Sequence, residues 1–122
     1  MIENKNDIAS LTIISSDDID WKKLYLEHEY IVVNYQPSTD CPGCTEVNVL
    51  FQQLSEQEEY KKIKFLWVDS RNNPIAEKFI QKRQNAFVAV FKEGFLVECD
   101  NIKNEKELRS MLDRLFTFKF KL

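Results

Sequence analysis

Two short apolar runs with a helical-period segment between them constrain this chain more than any other feature. "YIVVNYQ" (Tyr30 to Gln36) and "IKFLWVD" (Ile63 to Asp69) are apolar and strand-length. Between them Val47, Leu50, Phe51 and Leu54 fall at i, i+3, i+4 and i+7, the spacing of one face of an amphipathic helix. Strand, helix and strand in this order imply parallel strands joined by a crossover helix.

The flanking sequence extends the pattern. "LTIIS" (Leu11 to Ser15) reads as a strand. Ser16 is placed to cap a helix running to about His28, with Asp17 and Asp18 in its first turn and Ile19, Trp21, Leu24 and Tyr25 on its apolar face. Asn73 and Pro74 form a helix start whose buried face holds Ala76, Phe79 and Ile80. "AFVAVFKEGFLVEC" predicts a hairpin turning at Glu93 and Gly94. Leu108, Met111, Leu112, Leu115 and Phe116 predict a last helix. The order β-α-β-α-β-α-β-β-α is that of an α/β domain. Its central mixed sheet has about five strands and about four flanking helices.

With 122 residues the chain is expected to form a single domain, 1–122, with an N-terminal arm at 1–10 and a C-terminal tail at 117–122. In that tail "FTFKFKL" sets Phe118, Phe120 and Leu122 in alternation with lysines. An extra strand on the same sheet, or a homodimer contact, accounts for it equally well. A net charge of −3 gives no reason to expect nucleic acid or a membrane surface as partner. The polar, acidic start and the absence of a long apolar run lead to a cytoplasmic expectation.

Two of the three cysteines stand together in "TDCPGCTEV", as Cys41 and Cys44 around Pro42 and Gly43. The spacing alone fits a redox pair, half of a metal site, or two ordinary thiols. The position is more informative, because the pair falls between a buried strand and a helix. Cys41 would lie near unpaired backbone N–H groups and the positive end of the helix dipole, which favour its thiolate. Cys44, one turn inside, would be less exposed and suited to resolve a mixed disulfide. Zinc needs four ligands, and Cys41, Cys44, Cys99, His28 and scattered carboxylates do not make a monomeric site. Two subunits could pool their pairs. Cys99 alternates in phase with Phe95 and Val97 and is expected to face the core.

From Leu11 to Phe116 the sequence resembles the thioredoxin family. The likeness rests on "IVVNYQ" before the cysteine pair, the pair opening a helix, "VDSRNNP" leading into the next helix and "AFVAVFKEG" as a hairpin arm. It implies a thioredoxin-like fold and a thiol–disulfide oxidoreductase with Cys41 as nucleophile and Cys44 as resolving thiol. It also implies protein disulfide substrates, a reductase or other electron donor, and no cofactor.

The site departs from the family's pattern at several positions. Asp40 stands where a Trp is usual, and Pro42-Gly43 reverses the usual order. Asn34 occupies the place of a buried Asp, and Phe65 or Trp67 that of its Lys partner. Asn85 and Ala86 replace the cis-proline step that faces the cysteines, so this peptide is expected to be trans. These changes leave two other readings: a redox-silent binding module, and a metal or iron–sulfur variant opened by Ala86.

Overall fold

A computed structural model describes residues 19–37, 44–70 and 87–120. The predicted strand at Leu11 and the helix opening at Asn73 lie outside them. The described elements are α1 (Trp21–Glu27), β1 (Tyr30–Gln36), α2 (Cys44–Ser55), a 3-10 turn (Glu58–Tyr60), β2 (Ile63–Asp69), β3 (Phe87–Lys92), β4 (Phe95–Asp100) and α3 (Glu105–Thr117).

The strands form one mixed sheet in the order β2-β1-β3-β4. β1 and β2 run parallel, with Tyr30 opposite Ile63 and Gln36 opposite Asp69. β1–β3 and β3–β4 are antiparallel. The expected α/β architecture is therefore present. Among the described residues it has four strands and three α-helices, slightly fewer than about five and about four.

Side-chain alternation sorts the core into two layers. On one face Val32, Trp67, Val88 and Val90 meet Phe51 and Leu54 of α2 and Leu108, Met111, Leu112 and Leu115 of α3. Phe51 sits edge-on to both Phe65 and Trp67, at 5.0 and 4.8 Å between ring centroids. On the other face Ile31, Val33, Tyr35, Leu66, Val68, Phe87, Ala89 and Phe91 take the flank of α1. Every residue of β1 from Ile31 to Gln36 is buried, the place of a central strand covered on both faces.

Local chemistry moves some expected boundaries. α1 starts at Trp21 under Asp20, whose carboxylate accepts from the Lys23 N–H at 3.1 Å; the expected cap at Ser16 lies outside the described residues. Ile19, Trp21, Leu24 and Tyr25 do pack on the sheet, each only partly buried. α3 begins under Asn104, which accepts from the Glu107 N–H at 2.9 Å. It continues through Thr117, so the tail is shorter than the alternation suggested.

The expected tail strand does not form over residues 118–120. The Phe118 N–H closes the helix on the Leu115 carbonyl, and the Phe118 carbonyl accepts from Lys92 Nζ at 2.8 Å. With both groups engaged, the backbone has nothing to offer a neighbouring strand at Phe118. Phe120 turns back onto Phe95 of the hairpin, 5.4 Å between ring centroids.

Cys99 faces the core as expected, but not on the same face as Val97. Val90 pairs with Glu98 but Phe91 pairs with Leu96, so Val97 is an extra, bulged residue. The bulge shifts the alternation by one. Val97 packs with the α2/α3 layer, whereas Cys99, opposite Ala89, joins the α1 layer and is half-buried.

The hairpin turn falls where the sequence placed it. Glu93 and Gly94 both have positive φ, 51° and 86°, the backbone of a two-residue turn matched to strand twist. A Cβ on Gly94 would stand 3.2 Å from the Tyr25 ring. Gly94→Ala is therefore expected to cost about 1–3 kcal/mol, read as a lower urea midpoint with unchanged slope. An unchanged midpoint would mean that Tyr25 and the turn relax at no cost.

Candidate functional site

β1 and β2 are parallel, so their C-terminal ends open on the same edge of the sheet. The described part of α2 begins at that edge with Cys44. In an α/β sheet this is where crossover loops gather reactive groups. The Ser70 N–H donates to the Gln36 carbonyl at 2.9 Å, just beyond the last β1–β2 pair.

Of the residues selected from the sequence, the structure describes Cys44 and Asn34. Asp40, Cys41, Pro42, Gly43, Asn85 and Ala86 lie outside the described residues. Cys44 is 9% exposed at the start of α2, and Asn34 is 2% exposed in β1. Cys44 shares the buried face of α2 with Asn48, Phe51 and Leu54. The sequence placed Val47 and Leu50 on that stripe, but both are only half-buried.

Sequence reasoning missed Asn48, which is the hub of the interior polar chemistry. Asn34 Nδ2 donates to Asn48 Oδ1 at 3.1 Å, and Trp67 Nε1 donates to the same oxygen at 3.2 Å. The indole N–H can only donate, so the Asn48 atom facing it must be the carbonyl oxygen. That in turn requires Asn34 to present its NH2. One donor-only ring thus orients two amides. Asn34 and Trp67 are also direct partners in the β1–β2 register, on the face covered by α2.

A signal for this cluster was available. Asn48 lies four residues after Cys44 and three before Phe51, in phase with the buried stripe. A polar residue in that phase needs a partner, and Asn34 on β1 supplies a side chain able to provide one. Trp67 on β2 supplies the other.

The remaining thiol behaves differently. Cys99 is a free thiol, and burial pushes it up to about 11, with Asp100 adding to the shift. It is a neutral group at neutral pH. His28 caps the C-terminus of α1, its N–H donating to the Leu24 carbonyl, consistent with a helix-end role. No group of histidine, cysteine and carboxylate side chains among the described residues is arranged to hold a metal ion. No described helix is long and apolar enough to cross a membrane.

The Asn34 network rejects a carboxylate. An aspartate side chain in place of Asn34 would turn an acceptor toward Asn48 Oδ1, in a site with no compensating cation among the described residues. Asn34→Asp is expected to lose about 3–5 kcal/mol at pH 7. Burial would raise the folded-state pKa of the introduced carboxyl above its unfolded value, so the penalty is largest above both and shrinks as pH falls through the folded value. Denaturant midpoints for the variant and parent at neutral and acidic pH check this; a loss that grows on acidification would contradict it.

No family model matches the sequence, and no curated protein matches it. Solved structures do. Thioredoxin from Fasciola hepatica superposes with a TM-score of 0.65 at 23% identity, over 85% of this chain and 97% of that one. Mitochondrial thioredoxin 3 from Saccharomyces cerevisiae, in oxidized form, gives 0.66 at 16% identity, over 87% and 96%. Oxidised thioredoxin from Plasmodium falciparum gives 0.65 at 15% identity, over 85% and 98%. The chain has a thioredoxin-like fold.

Proposed function

We propose that this thioredoxin-like chain is a thiol–disulfide oxidoreductase that works through Cys41 and Cys44. Fold alone does not assign an activity. The observation that carries the reading is the position of Cys44, buried in the first turn of α2 at the carboxyl edge of two parallel strands. Its cysteine-x-x-cysteine partner, Cys41, precedes it by three residues. The pair thus falls at the strand-to-helix junction where a helix N-terminus lowers thiol pKa.

The exchange runs in two steps. The Cys41 thiolate attacks one sulfur of a substrate disulfide, forming a Cys41–substrate S–S bond, and the other substrate sulfur leaves as a thiolate. The Cys44 thiolate then attacks the Cys41 sulfur. A Cys41–Cys44 bond forms, the bond to substrate breaks, and the second substrate sulfur leaves with its electron pair. Two electrons pass from the dithiol to the substrate, and a dithiol or reductase donor must restore the pair. Run in reverse, the same steps oxidise a substrate dithiol.

Asp40, Pro42, Gly43, Asn85 and Ala86 are assigned to the walls of the site, with Asn34 beneath it. Ala86 in place of a cis-proline would leave the sulfurs more open and the substrate backbone less tightly aligned. Protein disulfides in extended segments are the substrate class this arrangement suits, in a soluble compartment and with the chain as a monomer or homodimer.

The test is insulin-disulfide reduction with a chemical dithiol as donor. The parent chain is expected to accelerate it, and Cys41→Ser to fall to the uncatalysed rate. Cys44→Ser is expected to trap a mixed disulfide with substrate, seen by mass spectrometry. Full activity in Cys41→Ser would exclude the assignment.

A further inference from the structure

The edge of the sheet opposite Cys44 carries exposed aromatic surface. β3 runs antiparallel to β1, so Lys92 stands beside Tyr30 at the start of β1, with the Glu93–Gly94 turn and Phe95 just beyond. Phe95 is 65% exposed there and Phe120 39%. Their rings meet at 5.4 Å between centroids, and Phe118 makes an edge-on contact with Phe120 at 5.1 Å. Lys92 holds this cluster together. Its Nζ donates to the Phe118 carbonyl at 2.8 Å and lies 5.9 Å from the centroid of the Phe120 ring. The rings are thus positioned before any partner arrives, which lowers the entropic cost of covering them.

Charge identifies the partner. Glu93, two residues before Phe95, and Lys119, next to Phe120, are both exposed. Neither has an ion-pair partner among the described residues. One acid and one base therefore flank the same cluster. A partner surface of a single sign would set a like charge against one of them. A second copy related by a two-fold axis presents the opposite charge to both, because each contact in such an interface occurs twice with the roles exchanged.

We propose that this patch is the interface of a two-fold homodimer, with Phe95 of one protomer against the partner's Phe120 and Glu93 facing the partner's Lys119. The exposed rings cover far less than the roughly 800 Å² per partner of a standard stable interface, so the dimer is weak and reversible. It forms at the amino end of β1, whereas Cys44 stands at the carboxyl end, about 20 Å away along a seven-residue strand. Both cysteine sites stay open in the dimer, and association does not depend on the exchange proposed above.

Sedimentation velocity on the full chain, with a reducing agent present to prevent intermolecular disulfides, reads the association. Between about 1 μM and about 1 mM the sedimentation coefficient is expected to rise from the monomer value toward that of a dimer. Phe95→Ser is expected to weaken association about tenfold. Glu93→Lys and Lys119→Glu, each alone, are expected to weaken it by setting like charges face to face, and an equimolar mixture of the two variants to restore it as a heterodimer. A parent chain that stays monomeric over the whole range overturns the proposal. So does a dimer that Phe95→Ser leaves unchanged, or a mixture of the charge variants that associates no better than either alone. Insulin reduction per chain is expected to be the same in Phe95→Ser as in the parent; a difference would contradict an interface remote from the cysteines.

Discussion

The parallel pairing of β1 with β2 is the constraint on which the rest of the structure depends. Its register runs from Tyr30–Ile63 to Gln36–Asp69. Parallel neighbours cannot be joined by a tight turn, so the chain must cross the sheet face between them. That crossover is α2. Because it starts at the carboxyl edge of β1, it puts Cys44 there, and it lays Phe51 and Leu54 over Trp67 and Val32. The antiparallel β3–β4 hairpin then extends the same sheet, and α3 closes the face beside α2. β1 supports all of this by being buried on both faces from Ile31 to Gln36.

Burial on both faces makes the polar residues of β1 conspicuous. Asn34 could not remain there unpaired without costing about 1–3 kcal/mol. Its bond to Asn48 and the bond from Trp67 satisfy three side chains from three elements at once. The network contains no group that titrates near neutral pH. It therefore ties helix to sheet at any working pH. A carboxylate in the same place would couple stability to protonation. Gln36 is treated less well, since its Oε1 is buried without a hydrogen-bond partner among the described residues. It sits at the last β1 position, against the carboxyl edge of the sheet.

Much of this was legible in the sequence, for physical reasons that differ by element. The β1 and β2 runs and the α3 stripe were readable because burial imposes composition and period directly. The Glu93–Gly94 turn was readable because few residues accept positive φ. Cys99 does face the core, but its face could not be read, because a bulge at Val97 changes the phase of β4 and no residue type marks that shift. The tail was misread for a related reason. Alternation in "FTFKFKL" imitates a strand, but the contacts of Lys92 and Phe95 that decide its path are long-range. Asn48 lay in plain phase with Cys44 and Phe51, yet its meaning emerged only once Asn34 and Trp67 were opposite each other in register. In the candidate site, the position of Cys44 followed from local pattern; the polar network beneath it required the tertiary pairing.

A thioredoxin-like sheet presents Cys44 at its carboxyl edge, and the described interior behind it is polar but uncharged. Cys99 is neutral and half-buried against the α1 face, and the proposed exchange assigns it no step. The most direct test of the central claim is the reduction potential of the chain, equilibrated in defined thiol–disulfide buffers on metal-free protein, with the pairing read by mass spectrometry. The account predicts a single reversible two-electron couple, Cys41 with Cys44, within the span of about −270 to −120 mV occupied by exchange-active dithiols. Absence of a reversible couple, or a couple that requires Cys99, would contradict it.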